Sequence, residues 1–151
     1  MTLFREACRE DVPDICALMS DDVLGHTRET RDEDAYLVAF DNIASEPQNH
    51  IIVGVHSDGR IVATYQITFI SGLSLGAARR AQVETVRVAG DSRGQGIGQE
   101  MFADVERRAR AAGCHLIQLT MNASRQDAHR FYESLGFAAS HTGFKKDLRA
   151  G

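Results

Sequence analysis

One segment constrains this chain more than any other: Val86-Arg87-Val88-Ala89-Gly90-Asp91-Ser92-Arg93-Gly94-Gln95-Gly96-Ile97-Gly98. Alternating valines lead into a glycine-dense turn. The turn opens onto Ile97, Met101, Phe102, Val105 and Ala109, which recur at helical spacing. Strand, turn and amphipathic helix in that order place the chain among layered α/β folds. Glycines let backbone N–H groups turn outward and approach a ligand with no Cβ between them. A helix N-terminus adds unpaired donors and partial positive charge, so the segment suits a pyrophosphate. Two common phosphate cradles do not fit. Gly98-Gln99-Glu100 lacks the Gly-Lys-Ser/Thr of a P-loop, and Gly94, Gly96 and Gly98 miss the GxGxxG spacing.

The rest of the chain supplies the partners such a unit needs. Leu3 to Ala7 reads as a short strand, and Pro13 opens a helix with Val12, Ile15, Cys16, Met19 and Val23 on its apolar face. Ala35 to Ile43 is a second helix. Ile51 to Val55 and Ile61 to Ile70 are strands joined by a turn at Asp58-Gly59. Ser71 to Arg80 is a loop, Val83 to Ala89 a central strand, and Gly113 the stop of the long helix. Leu116 to Met121 is a strand, Gln126 to Leu135 a helix stopped by Gly136, and Phe137 to Leu148 a pair of short strands. The order β-α-α-β-β-β-α-β-α-β-β describes an α/β sheet flanked by helices. It is read as one domain over residues 1–151.

At 151 residues the chain can bury a core without disulfides or metal. A net charge of −4 and the lack of a Lys/Arg run argue against duplex nucleic acid as a partner. Apolar runs are too short for a membrane span, and the N-terminus lacks the apolar core of a signal peptide. Cys8, Cys16 and Cys114 show no CxxC pairing, as expected of reduced, buried thiols in the cytoplasm. No His, Cys and Asp grouping has metal-ligand spacing, so no metal is expected.

Arg93 through Gly96 to Gly98 forms Arg-x-x-Gly-x-Gly, and Ala128-His129-Arg130-Phe131-Tyr132-Glu133-Ser134-Leu135-Gly136-Phe137 forms A-x-x-[FL]-Y-x-x-x-G-F. With Glu84 on the strand before the turn, these blocks resemble the GNAT acetyltransferase family in order and separation. The likeness covers residues 83–148. It implies the GNAT fold: a mixed, mostly antiparallel central sheet with splayed parallel strands and flanking helices. It also implies acetyl-CoA as cosubstrate and transfer of its acetyl group to a primary amine by direct attack in a ternary complex. Locally, Asp127 to Tyr132 with Arg125 and Ser140-His141 resembles the aminoalkylphosphonate acetyltransferase branch.

The same resemblance assigns roles, each with a plain alternative. Backbone groups of Val86 and Val88 would hold the pantetheine arm, while their side chains can still be ordinary core. Amides of Arg93, Gly94, Gln95, Gly96, Ile97 and Gly98 would hold the pyrophosphate, and the Arg93 side chain either meets a phosphate or is solvated. Tyr132 matches the acid that protonates the departing thiolate, or is a buried Tyr with a routine partner. Glu84 matches the base, or is a surface carboxylate. Arg125 stands where the family often has Asn, with Asn122 the nearest amide; Ala128 completes the cofactor side. The acceptor pocket falls to residues 21–34, 71–80 and 140–143, with Arg79 or Arg80 available to an anionic group. Acetylation of a protein or peptide, or a non-catalytic acyl-CoA-binding regulatory role, stands as the alternative. A homodimer is expected.

Overall fold

Runs of Ile and Val with alternating neighbours fold as strands. In the computed structural model, which describes residues 1–21 and 32–149, β1 (Leu3–Glu6), β2 (Asn49–Val55), β3 (Ile61–Ile70), β4 (Arg80–Val88) and β5 (Leu116–Leu119) form one sheet in that order. The first four pair antiparallel; β4 and β5 run parallel. The β2–β3 turn needs a left-handed residue and has Gly59 there at φ +90°. His56 N–H closes it onto the Arg60 carbonyl at 2.8 Å. By contact the chain divides into two compact units, Met1–Leu119 and Thr120–Gly151.

In the first unit, α1 (Val12–Ser20) has Pro13 in its opening turn. Val23, expected on its face, lies outside the described residues. Helix α2 (Glu33–Ala44) starts at Asp32, whose carboxylate accepts from Ala35 N–H at 3.1 Å. Helix α3 (Ile97–Ala111) buries the expected stripe: Ile97, Met101, Phe102, Val105 and Ala109 are all at most 6% exposed. It ends as Gly113 suggests. Gly113 adopts φ +76°, its N–H meets the Arg110 carbonyl, and Cys114 N–H meets Ala109 O.

The sheet separates two layers. Tyr65, wholly buried, points to α3, where its hydroxyl donates to the Asp104 carboxylate at 2.5 Å. Asp104 also accepts from Arg107 and, at 2.8 Å, from Arg108 Nε. Burial pushes the Tyr65 phenol up to about 12, against the pull of the Arg108 guanidinium. Ile51, Thr64 and Gln66 face the other way, toward α1 and α2.

Strand β4 departs from regular pairing twice. Gln66 pairs with Glu84 but Thr64 with Arg87, so β4 holds one extra residue there, a bulge. Thr85 sits in it at φ +54°, an uncommon place for a β-branched side chain. The β4–β5 ladder then stops at Val83–Leu119, and β4 continues from Glu84 to Val88 with no β5 residue paired to it. The pairing thus ends where β5 itself ends.

The second unit holds α4 (Gln126–Ser134). The strand pair expected over residues 137–148 is absent: residues 137–147 have no regular structure, and Arg149 folds back on Asp147. A hairpin edge is held by burial of its alternate side chains, and here Phe144 and Leu148 stay 93% and 82% exposed. The thiols also differ from expectation. Cys8 is exposed, with Sγ 3.3 Å from Asp11 Oδ2, and Cys16 and Cys114 are half-buried; none of the three forms a disulfide.

Candidate functional site

Most of the candidate residues of the first unit line a single stretch of chain, β4 and the turn after it. Glu84 is exposed. Residues directly opposite in an antiparallel pair share a face, so Glu84 stands beside Gln66, on the α1–α2 side of the sheet. Val86 and Val88 follow on the strand segment that β5 has left, and both are half-buried. The Val86 carbonyl accepts from the Arg87 guanidinium at 3.0 Å. The strand ends where Ala89 N–H meets the Val62 carbonyl at 2.8 Å.

The turn is built on two left-handed glycines. Gly94 and Gly96 adopt φ +79° and +81°, and a Cβ on either would meet nothing within 4 Å, so the space above the turn is open. Gly96 is the N-cap of α3, and no side chain caps the helix. The first amides, at Ile97 and Gly98, therefore lack intrahelical partners. Arg93 is exposed, and Gln95 reaches the Asp91 carbonyl at 3.5 Å. Asp21, expected beside the acceptor, instead accepts from Gly90 N–H at 3.1 Å and anchors the start of the turn.

In the second unit the signature places Tyr132 by a helix stop. Gly136 takes φ +94°; its N–H meets the Glu133 carbonyl, and Phe137 N–H meets that of Tyr132. This is a Schellman cap, whose two flanking apolar groups normally touch. Here those groups are Phe137 and Tyr132 themselves, with ring centroids 5.9 Å apart at 74°, and the Phe131 ring lies 5.5 Å from that of Tyr132. Ala128 is half-buried on the same helix. Arg125 is its N-cap, and the Arg125 carbonyl accepts from His129 N–H. Asn122 spends its side-chain oxygen on Ser124, from N–H at 3.0 Å and Oγ at 2.6 Å, which leaves its NH2 as the group it can offer a ligand.

The sequence over residues 13–137 matches the model of the Acetyltransferase (GNAT) family. The chain belongs to that family. A stretch of 67 residues of this GNAT chain is 42% identical to the aminoalkylphosphonate N-acetyltransferase of Salmonella typhimurium. That stretch covers 44% of the chain and 44% of that curated relative. Over almost its whole length the GNAT chain resembles a solved transcriptional regulator from Bacillus halodurans, with 40% identity, TM-score 0.92, and coverage of 98% of this chain and 100% of that one. It shares its fold with an acetyltransferase-type protein from Clostridium acetobutylicum solved with acetyl-CoA, at 18% identity and TM-score 0.75, covering 100% and 99% of the two chains.

One of the two arginines offered to the acceptor is already engaged. Arg79 is not available to an anionic group: its guanidinium donates to Ala112 O, Ser71 Oγ and Gln48 Oε1 at 2.8–3.0 Å and lies over the Phe69 ring. Residues 22–31, including His26, Arg28 and Arg31, lie outside the described residues. A concave site does exist elsewhere, a cavity of about 180 Å³ between α1, α2 and the sheet. Thr85, Gln66 and Tyr36 line it, and no sequence signal marked them. Among the described residues no His, Cys, Asp and Glu group could hold a metal ion, and no helix is long and apolar enough to cross a membrane.

Proposed function

We propose that the chain is an acetyl-CoA-dependent N-acetyltransferase acting on the primary amine of a small molecule, working as one domain over residues 1–151. The observation that carries this reading is the arrangement along β4. One strand presents a carboxylate at a bulge, then a backbone edge that β5 does not pair, then an open glycine turn on a helix N-terminus. A long cosubstrate with a β-like arm and a pyrophosphate at its end suits that order of groups.

Each residue then has a task. The amides of residues 93–98 hold pyrophosphate oxygens, and the Val86 and Val88 backbone holds the pantetheine arm, which requires Arg87 to release the Val86 carbonyl if that oxygen is used. Glu84 takes one proton from the incoming ammonium, because the protonated nitrogen has no lone pair and its reference pKa is near ~10.4. The freed amine forms the C–N bond as the C–S bond breaks. Tyr132 gives its phenolic proton to the thiolate and is reprotonated by the second proton that nitrogen sheds. One amide, one coenzyme A thiol and one released proton balance the reaction.

A thiol-release assay with acetyl-CoA and a panel of amines tests this. Glu84→Gln and Tyr132→Phe are expected to lower kcat by about 10²-fold or more with coenzyme A affinity unchanged. Full activity in either variant removes that residue from the mechanism. The near-full-length likeness to a protein called a transcriptional regulator favours a second reading, a coenzyme A-binding module without turnover. Calorimetric coenzyme A binding with no thiol release for any acceptor would select it. Three cysteines without a disulfide fit a reducing cytoplasm. Symmetric pairs are the commonest assemblies of soluble chains, so a homodimer is expected and light scattering should give twice the 16.6 kDa chain mass.

A further inference from the structure

We propose that the cavity between α1, α2 and the sheet receives an uncharged, apolar substituent of the acceptor, so that the preferred substrates are alkyl- or arylalkylamines. This deepens the transferase reading above and rests on it.

Three observations converge. The cavity lies on the sheet face that carries the base. Gln66 lines it and is the register partner of Glu84, and Thr85, the next residue along, lines it as well. An amine next to Glu84 therefore has this hollow beside it.

The lining is apolar and uncharged. Val12, Ile15, Met19, Phe40, Ile43 and Ile51 are among its walls, and among the described residues no Asp, Glu, Lys, Arg or His contributes. Two of its polar groups are engaged with the protein: Thr64 Oγ1 donates to the Ile52 carbonyl at 2.9 Å, and Gln66 Nε2 donates to Asn49 Oδ1 at 2.9 Å. A phosphonate or carboxylate seated there would lose its hydration and find no counter-charge among the described residues.

The helix above it keeps partial exposure along its whole length. α2 has no fully buried residue, although Tyr36, Ala39, Phe40 and Ile43 turn toward the sheet and line the cavity. At about 180 Å³ the space exceeds the ~150 Å³ at which a hollow of similar lining admits benzene in another protein. A phenyl ring or a branched butyl group fits it.

Steady-state thiol release with phenethylamine, isopentylamine and 2-aminoethylphosphonate tests the assignment. The apolar amines should exceed the phosphonate by about tenfold or more in kcat/KM. Ala39→Phe, at a lining position that is itself exposed, should raise the apolar amines' KM about tenfold while leaving the melting temperature and coenzyme A affinity in place. A phosphonate used as well as or better than the apolar amines, or an Ala39→Phe enzyme with unchanged KM for them, overturns the assignment and leaves the transferase reading standing. Coenzyme A binding with no release from any acceptor overturns both.

Discussion

The buried Tyr65 hydroxyl gives the fold a pH dependence that one substitution isolates. Tyr65 donates to a carboxylate that two arginines also hold, with no exposure to solvent. Its phenol ionises near 10.0 when unfolded and at about 12 in the fold. A group whose folded pKa is raised stabilises the fold fully below the unfolded value and loses that contribution as pH rises through the folded one. A shift of that size corresponds to roughly 3 kcal/mol. At neutral pH, Tyr65→Phe deletes a hydrogen bond to a charged acceptor, a loss of about 1.5–3 kcal/mol. Urea unfolding of both proteins across alkaline pH should therefore show a gap of about 2 kcal/mol that closes between pH 10 and about 12. Other groups that titrate in this range affect both proteins and cancel in the difference. Parallel curves, with the gap undiminished at the alkaline end, would refute the argument.

Two further substitutions probe the glycines. Gly136→Ala places a Cβ at φ +94° with nothing to strike, so its cost is conformational, about 1–2 kcal/mol. Thermal unfolding should show that loss, together with a fall in kcat, because the same cap seats Phe137 on the Tyr132 ring. Gly96→Ala, at φ +81°, should cost a similar ~1–2 kcal/mol and weaken coenzyme A binding by calorimetry. An unchanged affinity would show that the turn does not hold the pyrophosphate.

Much of this was legible because local chemistry and tertiary packing agree. The Ile/Val runs, Asp58-Gly59, Gly113 and the stripe from Ile97 to Ala109 each specify structure within a few residues, and all are observed. Where packing overrules local preference, the reading fails. Thr85 has high β propensity and no turn chemistry, so nothing in its neighbourhood announces a left-handed residue. Asp104 sits beside Val105 like a solvent-facing residue, yet Tyr65, distant in sequence, draws it inside. Arg79 looked available because its partners, Gln48, Ser71 and Ala112, come from three separate segments. The cavity is likewise a product of helix placement, which no motif encodes.

The extra residue in β4 also makes this strand intolerant of changes in length. On either side of Thr85 residues two apart share a face, but across it the count is odd, so Glu84 shares its face with Arg87 rather than with Val86. The strand is a phase-shifted ruler whose downstream half is read correctly only with Thr85 present. Deleting one residue between Glu84 and Gly90 would move the glycine turn by a single strand step, about 3.3 Å, or else turn every intervening side chain to the opposite face. Insertions and deletions should therefore be purged from this segment in a mutational library even where substitutions survive.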